Sequence, residues 1–266
     1  MKKIIKNILA LLPNFVTQKI LRFYRLFKWK SIKCLYYSIE NDLKENCQKL
    51  DDLDLDKKYI QSILEKNKLD FYQNRLSWHY HLFSGLSKKF NNIKILEIGT
   101  HKGEFTNFIS KIFKDSEIYS FDLPSDNHQF VNTYKREDHS FREQYLKKRN
   151  ELLNHKNINF FEMNSLDLLN KFEKEFFDII WLDGDHTNPQ VTIDTFSAFH
   201  ILKKKGLLLC DDIFLDKDSR DFNKSQAHEA VKLLTKSGKL KTEYIIKRIH
   251  HKNAVNKKYV SFSIKK

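Results

Sequence analysis

Short apolar runs alternate with segments of helical periodicity over most of the chain after residue 90. Five of the runs predict buried strands, at Ile93–Ile98, Glu117–Leu123, Ile158–Met163, Phe177–Leu182 and Leu207–Cys210. The periodic segments predict helices at Glu104–Phe113, Phe141–Leu153, Ser165–Phe172, Val191–Leu202 and Gln226–Lys236. Two further strand-like runs, Glu243–Ile249 and Tyr259–Ile264, follow without a helix between them. The pattern predicts an α/β fold, in which a doubly wound, mostly parallel seven-stranded sheet ends in an antiparallel hairpin.

The residues before this alternating region divide into two parts that differ in charge. Residues 1–39 hold nine basic side chains and no acidic one, so they carry nine of the chain's +14 net charges. Apolar residues recur among these bases at helical spacing, which predicts a basic amphipathic helical extension. Residues 40–90 predict a helical region, with Glu40–Lys68 as an exposed helical or loop connector and Asp70–Phe90 as a helix. Residues 91–266 then form the main domain.

The basic extension has three candidate roles. Its apolar runs are shorter than the ~20 residues that a membrane span needs. A secretory signal is disfavoured because Lys6 and Asn7 interrupt the apolar stretch and no small-residue cleavage site follows. A basic amphipathic segment can instead lie on an anionic membrane surface or against a partner, or it can pack on its own domain with its lysines in solvent. These roles stay open on the sequence alone.

Composition is typical of a folded protein in a reducing compartment. The 266 residues, 41% of them hydrophobic, are enough to bury a sizeable core. Three cysteines lie far apart without a CxxC pair, which argues against a disulfide framework or a structural zinc site. We therefore expect a cytoplasmic protein, with peripheral attachment at the inner membrane face if the extension binds lipid.

Polar residues and glycines follow the first four predicted strands. They are Glu97, Gly99, Thr100, His101, Gly103, Asp122, Asn164, Ser165 and Asp183. Doubly wound sheets bind ligands at the carboxyl ends of their strands, so these residues should share one crevice. The glycines allow a tight turn and close approach of a ligand, and a carboxylate at position 122 can accept hydrogen bonds from both hydroxyls of a ribose.

The loop after the first strand, LEIGTHKGEF, excludes the usual dinucleotide site. It lacks the GxGxxG pattern, and Glu97 stands two residues before its first glycine. A carboxylate there disfavours a pyrophosphate but attracts a zwitterionic or cationic ligand. We therefore predict a nucleoside ligand without phosphates.

At this point the chain resembles a known family. Residues 93–265 resemble the Rossmann-like class I methyltransferases that use S-adenosylmethionine. The stretch DGDHTNPQVTIDTFSAFHILKKKGLLLCDDI resembles a branch that often methylates hydroxyls of small molecules or sugars. The resemblance implies that Gly99–Gly103 holds the methionine part of the cofactor, that Asp122 holds the ribose, and that Asn164 and Ser165 lie near the adenine. His101 stands where many members have a glycine, and Lys205 replaces the first of a glycine pair.

The acids after the fourth and fifth strands suggest how a hydroxyl acceptor would lose its proton. A general base such as His186, with Asp185 beside it, can take that proton, because imidazole titrates near neutrality. Alternatively, a bound divalent metal can lower the pKa of the hydroxyl. Asp183, Asp211 and Asp212 offer the hard oxygen ligands that Mg²⁺ or Mn²⁺ accepts, and related metal-dependent O-methyltransferases bind an ion with acids at these strand ends.

Simpler roles are open for the same residues, and other functions are open for the whole chain. The aspartates can cap helices, and His186 can be a structural histidine. Asp194 is expected at the surface. We favour a small-molecule or carbohydrate acceptor over nucleic acid, since the bases concentrate in residues 1–39 without interleaved aromatic residues. An RNA methyltransferase and a catalytically idle cofactor-binding protein are the alternatives. The sequence leaves the oligomeric state undetermined.

Overall fold

The structure is a computed structural model, and it describes residues 16, 39–73, 75–215, 225–249 and 257–266. The predicted amphipathic helix of residues 1–39 therefore lies outside the described residues, apart from positions 16 and 39. Within the described ranges, no helix combines the length and the apolar character of a membrane span.

Seven strands and the helices between them follow the predicted alternation. The strands are β1 Lys94–Ile98, β2 Glu117–Asp122, β3 Ile158–Glu162, β4 Phe177–Leu182, β5 Leu202–Ile213, β6 Leu240–Ile246 and β7 Tyr259–Lys265. The α-helices are α1 Ile39–Asp52, α2 Lys57–Lys66, α3 His79–Lys89, α4 Glu104–Ile112, α5 His128–Val131, α6 His139–Leu153, α7 Leu168–Lys171, α8 Gln190–Ile201 and α9 Ala227–Lys236. A 3₁₀ turn, Ser165–Asp167, precedes α7, so the predicted helix at Ser165–Phe172 is split.

The strands form one sheet in the order β3-β2-β1-β4-β5-β7-β6. The first five strands pair in parallel, while β7 is antiparallel to both of its neighbours. The α/β prediction with an antiparallel C-terminal hairpin is therefore confirmed. Since β6 runs antiparallel to β7, its direction matches that of β5. The carboxyl ends of β1, β2, β4, β5 and β6 consequently lie on one edge of the sheet.

Alternating apolar residues give the sheet two buried faces. In β4, Ile179 and Trp181 point into one core and Ile180 and Leu182 into the other, as the two-residue period of a strand requires. The first core is covered by α1 to α4 and the second by α7, α8 and α9. Both faces are therefore closed to solvent, which leaves the strand ends as the place for polar chemistry.

The helices before the sheet are part of the core. Leu50, Ile60 and Leu64 are fully buried, and they belong to the same hydrophobic cluster as Ile95 of β1. The helical interpretation of Glu40–Lys68 is confirmed, but its description as an exposed connector is wrong, because α2 packs onto α3 and α1 packs against β6 and α2. The division of the chain at residue 91 stays a prediction.

The helix predicted over Asp70–Phe90 begins only at His79. Asp70 holds a turn in which its Oδ1 accepts a hydrogen bond from the Tyr72 backbone N–H at 2.9 Å. The Trp78 backbone N–H donates to the carbonyl of Lys247, 2.8 Å away, in the segment after β6. These contacts hold residues 70–73 and 75–78 outside the helix, against the sheet edge where the candidate site lies.

Candidate active site at the carboxyl ends of the strands

The loop between β1 and α4 approaches the end of β4 so closely that a side chain would not fit. A β-carbon on Gly99 would lie 2.2 Å from the carbonyl oxygen of Asp183, and Gly99 has a φ of +101°. The Gly99 N–H donates to the carbonyl of Phe121 in β2 at 2.8 Å. Gly99 therefore joins the ends of three neighbouring strands.

Two positions that hold glycine in the family that the chain resembles hold other residues here, and both keep a left-handed backbone. His101 has a φ of +48° and Lys205 a φ of +60°. Gly103, the N-cap of α4, has a φ of +74°. Non-glycine residues rarely adopt this region. The substitutions thus leave the backbone in the region that glycine favours.

Glu97, the residue before the last of β1, has a buried carboxyl group. Its Oε2 accepts hydrogen bonds from Ser120 at 2.6 Å and from the Thr106 hydroxyl. Burial raises the pKa of Glu97 to about 8, against the two hydrogen bonds that lower it. Thr100 contacts the same Ser120 hydroxyl at 2.6 Å. Glu97 is therefore positioned to gain its negative charge when a cation binds beside it.

Asp122, at the end of β2, is tied to the glycine loop. One carboxylate oxygen accepts from the backbone N–H of His101 and the other from that of Leu123, both at 2.9 Å. Burial raises the pKa of Asp122. The His101 ring packs edge-on against Tyr134 and Tyr145, with ring centroids 5.0 and 5.7 Å apart. This places a carboxylate between the first two strand ends, as the ribose prediction requires.

The pair after β3 has local roles in the structure. Asn164 caps the 3₁₀ turn, with its Oδ1 3.0 Å from the Leu166 N–H. The Ser165 hydroxyl accepts from Gln190 at 2.8 Å, and Gln190 also donates to Asp194 at 2.8 Å. Asp194 is only 4% exposed, so its expected surface position is wrong. Its burial follows from the packing of α8 on the segment after β3.

A cavity of about 400 Å³ opens at these strand ends. The predicted residues that line it are Glu97, Gly99, Thr100, His101 and Asp183. The helical region adds His79 and Tyr80, and the segment after β6 adds Arg248. The other predicted residues do not line the cavity, although Asp122 reaches it through the backbone of His101. Its volume lies in the range typical of small-molecule sites.

His186 lies beside the cavity, in contact with strand-end carboxylates. Its Nε2 is 3.5 Å from Asp183 Oδ1 and 4.0 Å from Asp212 Oδ2. Burial lowers the pKa of His186, but these acids outweigh it, and the pKa is raised overall. Asp185 is exposed, and its Oδ1 accepts from the N–H and hydroxyl of Thr187 at 2.8 and 2.7 Å. Asp185 thus shapes the turn before α8, while His186 has the partners of a base.

Asp183 and Asp211 differ in pKa, and Asp211 is the more buried of the two, with its side chain 1% exposed against 34% for Asp183. Burial, followed by the neighbouring Asp211 charge, raises the pKa of Asp183 to about 7. Burial acts in the same direction on Asp211, but Lys247 lowers its pKa below the ordinary aspartate value. In a carboxylate pair with pKa values separated in this way, one member can hold a proton while the other stays ionised.

Two lysines form ion pairs with the acids near the end of β5. The Lys247 ammonium forms ion pairs with Asp211 and, at 2.7 Å, with Asp212 Oδ1. The Lys258 ammonium lies 2.5 Å from Asp212 Oδ2. Both oxygens of Asp212 therefore have a lysine partner, and the side chain of Lys247 is only 7% exposed.

The predicted magnesium or manganese site can be tested against these contacts. Asp183, His186 and Asp211 each offer one ligand atom, and the three atoms lie within 4.8 Å of one another. Asp212, the remaining predicted ligand, is held by both lysines. An ion at these acids would lie next to the buried Lys247 ammonium, which is already in contact with Asp211 and Asp212. Two cations that share the same carboxylates repel strongly. The residues as arranged do not fit a divalent ion.

His79 and Lys247 are among the site residues that the sequence left unassigned. His79 is buried and its ring packs against Trp181 and Phe105, with centroids 4.8 and 4.5 Å apart. Burial lowers the pKa of His79 to about 3, so the ring is neutral at pH 7. His81 is fully buried, with its ring stacked on Trp78. Lys247 is revealed only by the strand order, which brings the end of β6 to the same sheet edge as the end of β5, with β7 between them.

Comparison with known structures gave several that share part of this fold. A methyltransferase dependent on S-adenosylmethionine from Aquifex aeolicus is 13% identical, with a TM-score of 0.49, over 78% of this chain and 98% of its own. A cofactor-bound protein from MTB is 14% identical, with a TM-score of 0.49, over 67% and 75%. Precorrin-6y C5,15-methyltransferase from Geobacter metallireducens is 16% identical, with a TM-score of 0.45, over 68% and 84%. The search of curated proteins gave no match.

A comparison with family models gave a match to one described as a methyltransferase domain, over residues 96–213. The matched range begins inside β1 and ends with β5, so it contains the glycine loop, Asp122, the DGDH turn and both acids after Cys210. It supports a methyltransferase domain over this range, and hence an enzyme of the transferase class.

Proposed function

We propose that the protein transfers a methyl group from S-adenosylmethionine to a hydroxyl of a small molecule, sugar or glycan precursor. The observation that carries this proposal is the contact of His186 with Asp183, 3.5 Å apart, because Asp183 lines the cavity together with Glu97 and Gly99. A base beside a cofactor cavity is what a hydroxyl acceptor requires, because its oxygen attacks only as its proton leaves.

The cofactor residues are those of the first two strand ends. Bound S-adenosylmethionine would supply a methyl group on a sulfonium, which is already a good leaving group. Asp122 would accept the ribose hydroxyls, and Glu97 would face the amino group of the methionine part. Asn164 and Ser165 would lie on the adenine side, although both now hold local contacts.

The chain's own residues would then move the acceptor proton. His186 would take it at Nε2, and the neighbouring Asp183 would stabilise the imidazolium that forms. Asp185 would hold the turn that presents His186. No step is assigned to Mg²⁺ or Mn²⁺, because Lys247 and Lys258 already neutralise the acids of β5.

The test is a methyl-transfer assay that follows S-adenosylhomocysteine over a panel of hydroxylated acceptors, with RNA as a separate arm. We expect turnover with a hydroxylated small molecule, and at least ~100-fold less turnover in His186→Ala with unchanged cofactor binding. His200→Ala, an exposed histidine at the end of α8, is the matched control and should keep full activity.

Other outcomes of the same assay would replace the proposal. Turnover confined to the RNA arm would favour an RNA methyltransferase. Cofactor binding without turnover on any arm would favour a catalytically idle binding protein. Equal activity in His186→Ala and His200→Ala would remove His186 from the mechanism.

We also propose that residues 1–39 attach the protein to an anionic membrane surface at the cytoplasmic side. The support is the charge of this segment, with nine basic residues and no acidic one. Co-sedimentation with vesicles of anionic lipid should be lost when residues 1–39 are deleted, and neutral vesicles should bind neither protein. Equal sedimentation of both proteins would contradict the attachment.

A further inference from the structure

The Lys247 ammonium is fixed among the strand-end carboxylates by the fold itself. The backbone N–H of Lys247 donates to Lys258, and its carbonyl accepts from Trp78, both at 2.8 Å. Its side chain is 7% exposed, and its partner Asp211 is 1% exposed. The backbone of Lys247 is hydrogen-bonded on both sides, and its ammonium is buried with its carboxylate partner. The charge is therefore a fixed part of the site and not a surface contact.

The ammonium also has the position that an ion would need. It pairs with Asp211 and Asp212, which end the strand next to β4. Asp211 belongs to the set with Asp183 and His186, whose ligand atoms lie within 4.8 Å of one another. A cation that bridged these acids would therefore lie against Lys247 Nζ.

The charge balance of the cluster also disfavours a divalent ion. Three carboxylates, Asp183, Asp211 and Asp212, face the two ammonium groups of Lys247 and Lys258. One negative charge is left, and a single proton on the His186–Asp183 pair neutralises it. A divalent ion added to this cluster would leave an excess of positive charge in a buried place, which is unfavourable.

We infer that the Lys247 ammonium takes the place of a divalent cation among the acids that end β4 and β5. Lys247 is a positioning residue, since it acts by holding Asp211 and Asp212. The cluster then binds no Mg²⁺ or Mn²⁺, and it becomes a metal site only when the ammonium is removed. This inference goes beyond the proposed function, because it holds for any acceptor.

The test is a titration with Mn²⁺ alone, in which electron paramagnetic resonance measures the free ion. No cofactor or acceptor is present, so failure of the proposed function leaves the result unaffected. We expect Lys247→Met to bind one Mn²⁺ at least about tenfold more tightly than the wild type. Lys258→Met is the matched control, because it removes a cation from Asp212 but leaves Lys247, and it should gain no binding. Asp211→Asn, added to Lys247→Met, should abolish the new site.

Two results would overturn the inference. One is a folded Lys247→Met protein, checked by circular dichroism, that binds Mn²⁺ no better than the wild type. The other is wild-type protein that binds one Mn²⁺ with a Kd below about 100 µM and loses it in Asp211→Asn. The wild-type arm decides the question even if Lys247→Met does not fold. Lys247→Arg, which keeps the charge, should bind no Mn²⁺.

Discussion

The close approach of Gly99 to β4 predicts that one added methyl group disrupts the candidate site. In Gly99→Ala, the β-carbon would meet the carbonyl oxygen of Asp183 at 2.2 Å and the backbone nitrogen of Gly184 at 2.8 Å. These are backbone atoms, so no side-chain rotation relieves the contact. Either the glycine loop or the end of β4 must move, and residues of both line the cavity.

The size of the effect follows from two separate costs. A β-carbon in the left-handed region costs about 1–2 kcal/mol. Forcing an extra carbon into a packed region costs about 1–3 kcal/mol more. We therefore expect the free energy of unfolding to fall by about 2–5 kcal/mol in Gly99→Ala.

Gly238→Ala separates the two costs. Gly238 also has a positive φ, +74°, but nothing lies within 4 Å of its added β-carbon. It should therefore lose only the backbone part, about 1–2 kcal/mol. Urea unfolding of both variants measures the difference, and calorimetry should show weakened binding of S-adenosylmethionine in Gly99→Ala alone. Equal unfolding free energies, within about 0.5 kcal/mol, would refute the close approach.

Three further predictions address protonation and packing. The pKa of Glu97 is raised from 4.5 to about 8, so its contribution to stability is present below about pH 4.5 and is lost as the pH rises through 8. Thermal unfolding should accordingly show wild type losing stability relative to Glu97→Gln between these pH values, and parallel curves would contradict the shift. The carboxylates raise the pKa of His186, so the acidic limb of kcat/KM should lie above the ordinary histidine pKa and move down in Asp183→Asn; an unmoved limb would exclude Asp183 as its partner. Leu64→Ala should cost about 2–5 kcal/mol in urea unfolding, while the exposed neighbour Glu65→Ala should stay within about 0.5 kcal/mol, and equal effects would contradict the burial of α2.

The order of strands and helices was readable from the sequence because both periods are strong there. β4 has the predicted bounds, Phe177–Leu182, since it is a short apolar run between polar turns. β5 begins at Leu202, five residues before the predicted start at Leu207. The prediction missed these residues because Lys203–Lys205 look like a loop in sequence. Leu202 pairs with Phe177 across the sheet, and the lysines lie in the register shift before Leu207 pairs with Ile179, which local pattern does not report.

The sequence identified site residues that lie at or just after the end of a single predicted strand. Glu97, Gly99 and Asp183 line the cavity, as the rule for strand ends predicts. His79 and Lys247 come from segments more than 160 residues apart in sequence, and the pattern gives no sign that they meet. Lysine near the end of a strand is ordinarily solvated, so only the strand order shows that Lys247 faces Asp211.

The central claim is that the strand ends form a site for S-adenosylmethionine, and calorimetric titration of that cofactor tests it most directly. Asp122→Asn removes the charge of the predicted ribose acceptor, while Asp126→Asn changes an exposed aspartate four residues away. We predict that wild type and Asp126→Asn bind one equivalent equally, and that Asp122→Asn binds at least about tenfold more weakly, a loss of ~1.4 kcal/mol. Equal binding by all three proteins, or none by the wild type, would contradict the claim.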